Sequence, residues 1–78
     1  MLKVYGSHLC PGCRDAKEKL DKEGVEYEFL DITENLPYLK EFLKFRDNLD
    51  IYDPIKEIGR IGIPTFVYED GTVSLEYK

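Results

Sequence analysis

Cys10-Pro11-Gly12-Cys13 comes shortly after the apolar run Leu2-Lys3-Val4-Tyr5-Gly6 and opens a stretch with helical spacing. A strand, a brief turn and a helix beginning on a cysteine pair is the reading that decides the fold. The pair holds both of the 2 cysteines in 78 residues. A disulfide across so short a gap restricts almost none of the unfolded chain, so it would add little stability. The spacing suits reversible chemistry instead, with one sulfur exposed as a thiolate and the other within reach to close a disulfide.

Helix starts carry unpaired N–H groups and the positive end of the macrodipole. Cys10 is therefore expected at the N-cap, its thiolate stabilised by those donors. Cys13, one turn inside, should be more buried and remain a thiol until needed. Cys10 is the expected attacking sulfur and Cys13 the resolving one. Pro11 pre-sets φ for helix entry, and Gly12 leaves the surface over the sulfurs bare for a bulky substrate. Two other readings stand beside this one. The cysteines could be small core residues, or they could form part of a metal or iron–sulfur binding module. Zinc would need two more ligands, for which only His8 and carboxylates are on offer, and no metal is expected. His8 is either a solvated loop histidine or an auxiliary source of positive charge.

Working outward, Leu2–Gly6 reads as a strand with Leu2 and Val4 on one face and Tyr5 on the other. Pro11 to about Glu23 reads as a helix with Cys13, Ala16 and Leu20 on its apolar stripe and Gly24 just past its end. Val25–Ile32 alternates as a second strand, which makes a right-handed βαβ unit. Asn35 can cap a second helix running to about Asp47, with Leu36, Leu39, Phe42, Leu43 and Phe45 as its apolar positions. Asp53-Pro54 predicts a cap and first residue of a short helix stopping at Gly59. Thr65–Tyr68, a Glu69-Asp70-Gly71 turn and Thr72–Leu75 form a hairpin. Tyr5, Tyr27, Tyr38, Phe42, Phe45 and Phe66 are at core spacing, whereas Tyr52 and Tyr68 have no assigned place. The expected fold is α/β: a mixed four-stranded sheet flanked by helices, ordered β-α-β-α-β-β.

The chain is 42% apolar and 35% charged, which is a globular composition. Its length suits a single domain spanning residues 1–78. A net charge of −5 argues against nucleic acid as a partner. No apolar run approaches the ~20 residues that span a bilayer, and the N-terminus lacks a signal peptide's apolar stretch. The expectation is a cytoplasmic protein that does not bind membranes.

Ile63-Pro64 stands immediately before the third strand. A proline there lacks a donor and suits an edge or a close approach. A C-x-x-C after the first strand together with Ile63-Pro64 before the third resembles the thioredoxin fold. The short length and the segment Gly59-Arg60-Ile61-Gly62-Ile63-Pro64 resemble glutaredoxins in particular, where a Gly-Arg-containing loop leads into Thr-Val-Pro. That resemblance implies a thiol–disulfide oxidoreductase with Cys10 as nucleophile and Cys13 as resolving cysteine. It implies a cis bond before Pro64 and an Ile63 backbone that binds the cysteinyl part of glutathione, with Gly12 beside it. Arg60 would either steer an anionic thiol or be a plain surface arginine.

The chain also departs from the family's pattern. Gly12 replaces the usual tyrosine, Ser7 stands where a lysine is usual, and no Gly-Gly-acid motif follows the hairpin. The family's closing helix has no sequence to form it, so apolar surface should be exposed unless a partner, a second copy or a rearranged segment covers it. The expected substrates are disulfide-containing proteins or small-molecule thiols, with no required cofactor. Glutathione or a thioredoxin-type reductase would supply electrons, and the chain would be a monomer or weak dimer.

Overall fold

The parallel pairing of the first two strands sets the architecture, because parallel neighbours need a crossover between them. The computed structural model describes residues 1–77. Its elements are β1 (Leu2–Gly6), α1 (Pro11–Lys22), β2 (Tyr27–Asp31), α2 (Leu36–Asn48), α3 (Asp53–Glu57), β3 (Thr65–Val67) and β4 (Val73–Ser74). A 3-10 turn over Asp50–Tyr52 precedes α3. The sheet order is β2-β1-β3-β4. β1 runs parallel to β2, with Val4 opposite Phe29, and antiparallel to β3, with Val4 opposite Phe66. The mixed four-stranded sheet with helices on both faces is the expected α/β arrangement.

Strand alternation sends side chains to two cores. Leu2, Val4 and Phe66 pack with Leu20 of α1 on one face. Tyr5, Leu30, Ile32, Phe42 and Tyr52 form the other, beneath α2. Gly24, just past α1, adopts φ +70°, which glycine reaches without a Cβ penalty. The Asn35 side chain accepts the Tyr38 N–H at 3.2 Å and caps α2 as its sequence predicts.

Several details differ from expectation. β2 is shorter than Val25–Ile32 and β4 shorter than Thr72–Leu75: ladder pairing covers only Tyr27–Asp31 and Val73–Ser74. Just past them come single bonds from the Ile32 N–H to the Gly6 carbonyl and from the Tyr68 N–H to the Thr72 carbonyl. Leu36 and Leu43 are exposed rather than core, since α2 buries only the stripe through Phe42. Asp53 is the first residue of α3 and makes no side-chain cap, because the chain enters that helix from the 3-10 turn already in helical conformation. Tyr52 is fully buried and belongs to the core.

The sheet face beside α1 is covered in part by the segment after β4. Tyr77 packs against Phe66 at 5.9 Å between ring centroids and stacks on Tyr68 at 6.2 Å. Of the three covers expected for this surface, a partner, a second copy or a rearranged segment, a segment of this chain is found on it. Among the described residues no helix is long and apolar enough to cross a membrane. Aromatic pairs contribute about 0.5–1.5 kcal/mol each beyond burial. Tyr77→Ala should therefore lower unfolding free energy by about 1–3 kcal/mol in urea titration, whereas an unchanged midpoint would show that the covering segment stabilises nothing.

Candidate active site

Two loops meet at the start of α1, and the site is built from them. Cys10 is the N-cap residue, with extended backbone (φ −97°, ψ 119°). Its Sγ accepts the Cys13 N–H at 3.4 Å, so the sulfur faces the donor end of the helix as predicted. Cys10 is partly exposed, Cys13 is fully buried, and both are free thiols. Burial pushes the Cys13 thiol up to about 12, a hydrogen bond with Cys10 adds to this, and a backbone hydrogen bond at Ser7 opposes it. Gly6 makes that burial feasible: a Cβ there would stand 2.9 Å from Cys13 Sγ.

Asp31, at the end of β2, gathers the hydrogen bonds of the turn that leads into Cys10. One carboxylate oxygen accepts the His8 N–H at 3.1 Å and pairs with His8 Nδ1 at 2.7 Å. The other accepts from the Thr33 N–H at 2.9 Å and the Thr33 hydroxyl at 2.5 Å. Because Thr33 spends its one hydroxyl proton on Asp31, the Ser7 hydroxyl must donate to Thr33 Oγ1, 3.0 Å away. Ser7 Oγ in turn accepts the Leu9 N–H at 3.1 Å. Burial works against the Asp31 charge, but hydrogen bonds from Thr33 and His8 outweigh it and hold the carboxyl well below its usual range.

The opposite wall comes from the loop before β3. The Ile63–Pro64 bond is cis, and a Cβ built on Gly12 would lie 4.0 Å from Pro64 Cδ, so the proline sits directly across from the Cys-Pro-Gly-Cys turn. Arg46 of α2 holds this loop from behind, donating from Nε to the Ile61 carbonyl at 2.8 Å and from Nη2 to the Arg60 carbonyl at 3.0 Å. Thr65 donates its hydroxyl proton to the Gly62 carbonyl at 2.7 Å, so the buried Tyr52 hydroxyl donates to Thr65 Oγ1 at 2.8 Å. Gly62 has φ +99°, and a Cβ there would stand 2.9 Å from the Tyr52 ring.

Between these walls lies a groove of about 740 Å³ lined by Cys10, Gly12, Arg60, Ile63 and Pro64 among others. The structure thus brings five of the sequence-selected residues to one surface, with Cys13 beneath it. His8 is not on the groove lining but held on Asp31. His8, Asp31 and Glu34 place potential ligand atoms within 4.8 Å of one another without either sulfur. The His8–Asp31 hydrogen bond already satisfies that pair. Arg46, Tyr52 and Thr65 were not selected from sequence, and nothing local marks them. Asp31 could have been found from Asp31-Ile32-Thr33, where an aspartate bonds the backbone two residues on.

A family model described as Glutaredoxin matches residues 2–70. A protein of Haemophilus influenzae described as uncharacterized is 33% identical over 73 residues, covering 94% of this chain and 85% of that protein. No solved structure matches the chain.

Burial gives a direct expectation for labelling. Iodoacetamide at neutral pH should modify Cys10 and leave Cys13 untouched until the protein is unfolded, read by peptide mass mapping. Cys13 labelled first would contradict the geometry. A second expectation concerns Asp31. Its depressed folded-state pKa makes its stabilisation complete above the ordinary value of about 3.9 and lost as pH falls below that. Asp31→Asn should cost about 1–3 kcal/mol at pH 7 in urea unfolding, with the gap from wild type narrowing by pH 3. A gap independent of pH would show that the Asp31 charge does not hold the turn.

Proposed function

The chain belongs to the glutaredoxin family, and on that premise we propose that it is a thiol–disulfide oxidoreductase working through Cys10 and Cys13. The observation that carries the proposal is the division between the two sulfurs. Cys10 Sγ is partly exposed on a groove and faces a helix N–H donor, while Cys13 is fully buried one turn inside. The sulfur that would attack thus lies at the N-terminal end of α1, against its unpaired first-turn N–H groups.

In the proposed reaction the Cys10 thiolate attacks one sulfur of a substrate disulfide. A Cys10–substrate disulfide forms and the other substrate sulfur leaves as a thiolate. Cys13 then attacks Cys10 Sγ, forming the Cys10–Cys13 disulfide and expelling the second substrate thiolate. The Cys13 proton and the one originally on Cys10 end on the two substrate thiols. The substrate gains two electrons, and the dithiol loses them. High Cys13 basicity keeps it protonated while the substrate binds, which limits its competition for the first attack.

Gly12 leaves room over Cys10 for the substrate. The Ile63 N–H and C=O make no hydrogen bond among the described residues, and they are available to an extended thiol-bearing chain. Glutathione or a thioredoxin-type reductase returns the electrons, and the reducing cytoplasm is the compartment where such a dithiol is recharged.

Cysteine variants separate the two roles. Cys10→Ser should abolish reduction of hydroxyethyl disulfide and insulin. Cys13→Ser should still form a mixed disulfide with substrate, visible by mass, yet fail to release it without added thiol. Full insulin reduction by Cys10→Ser would overturn the assignment.

A further inference from the structure

Resting on the dithiol reading above, we propose that the groove beside Cys10 selects a polypeptide segment whose disulfide-bonded cysteine is flanked by aliphatic side chains. A small thiol carrying two carboxylates is the occupant it disfavours.

The lining argues for this. Ile55, Ile61, Ile63 and Leu75 supply aliphatic surface, and the only charged side chains among the lining residues are Arg60 and Glu76. These are of opposite sign, so the lining has no net charge with which to attract a small thiol whose two carboxylates and one ammonium leave it anionic. An aliphatic stretch of polypeptide needs no net charge and matches the apolar lining instead. Ser7, buried and spent on Thr33 and Leu9, adds no cation.

Aliphatic side chains close in sequence to the groove residues are also exposed. Leu9, immediately before Cys10, is 69% exposed, Ile61 is 55% exposed, and Ile58 beside the loop is 66% exposed. Scattered exposed aliphatics are ordinary. Here Ile61 shares the groove with the reactive sulfur and Leu9 adjoins that sulfur in the chain, in a protein short of apolar residues to spare. Ile61 is not on a free tether either. Arg46 binds its carbonyl and that of Arg60, so the side chain is presented from a fixed backbone and little ordering remains to be done on binding.

The test uses fully reduced protein as the sole electron source. Each turnover consumes the Cys10 and Cys13 thiols and yields two substrate thiols. Substrates are two symmetric peptide disulfides, differing only in isoleucine or glycine on each side of the cysteine, together with oxidised glutathione. Each rate is divided by the same protein's rate with hydroxyethyl disulfide. The isoleucine peptide should react at least 10-fold faster than the glycine peptide and than oxidised glutathione, the scale of a few methylenes in an apolar site. Ile61→Ser, at an exposed position, should reduce the peptide ratio to below about 3-fold. Equal peptide rates, a ratio unmoved by Ile61→Ser, or oxidised glutathione as the fastest substrate would overturn the inference and leave the dithiol reading standing. Failure to reduce even hydroxyethyl disulfide would overturn the dithiol reading, and this inference with it.

Discussion

The Asp31 carboxylate is the interaction on which the site depends. Four donors from two loops converge on its oxygens, and through Thr33 and Ser7 it also orders the Leu9 backbone. The turn between β1 and α1 has little apolar side-chain packing of its own, since His8 and Leu9 are exposed. Its shape is held by these polar bonds instead. The parallel register of β1 and β2 brings Gly6 opposite Asp31, which is what lets one strand end serve the other's loop.

A fixed turn matters because the two sulfurs must differ. The N-cap geometry presents Cys10 to the groove and to the first-turn N–H groups. The bare Cα of Gly6 lets Cys13 settle into the protein, where desolvation opposes its ionisation. Across the groove, Arg46 and the Tyr52–Thr65–Gly62 relay hold the second wall from behind. Both walls are therefore set by hydrogen bonds to backbone, and the groove between them can carry aliphatic side chains without being shaped by them.

Much of this was legible in the sequence because local rules govern it. Cys10 at the N-cap, Asn35 as the cap of α2, Gly24 past α1 and the hairpin around Gly71 each follow from a few neighbouring residues. The alternation of Leu2, Val4 and Tyr5 assigned both sheet faces. What stayed hidden depends on contacts distant in sequence. Arg46 looks like an ordinary last-turn cation, and its role exists only once α2 packs behind the loop through Ile61. Tyr52 gave no periodic signal because a 3-10 turn carries it into the core. Leu36 and Leu43 fit the helical period, yet α2 buries only the stripe through Phe42. Tyr77 shows the same effect: its cover of Phe66 and Tyr68 needs the hairpin in place first.

The central claim is that Cys10 and Cys13 form one reversible two-electron centre. Equilibrating the protein across a series of dithiothreitol redox buffers, then quenching with acid and measuring mass after alkylation, tests it most directly. A single transition, with a two-electron slope, is expected between a fully alkylated dithiol and an unlabelled species containing the Cys10–Cys13 disulfide. Protein that stays a fully reduced dithiol at every poise, or that oxidises only between chains, would contradict it.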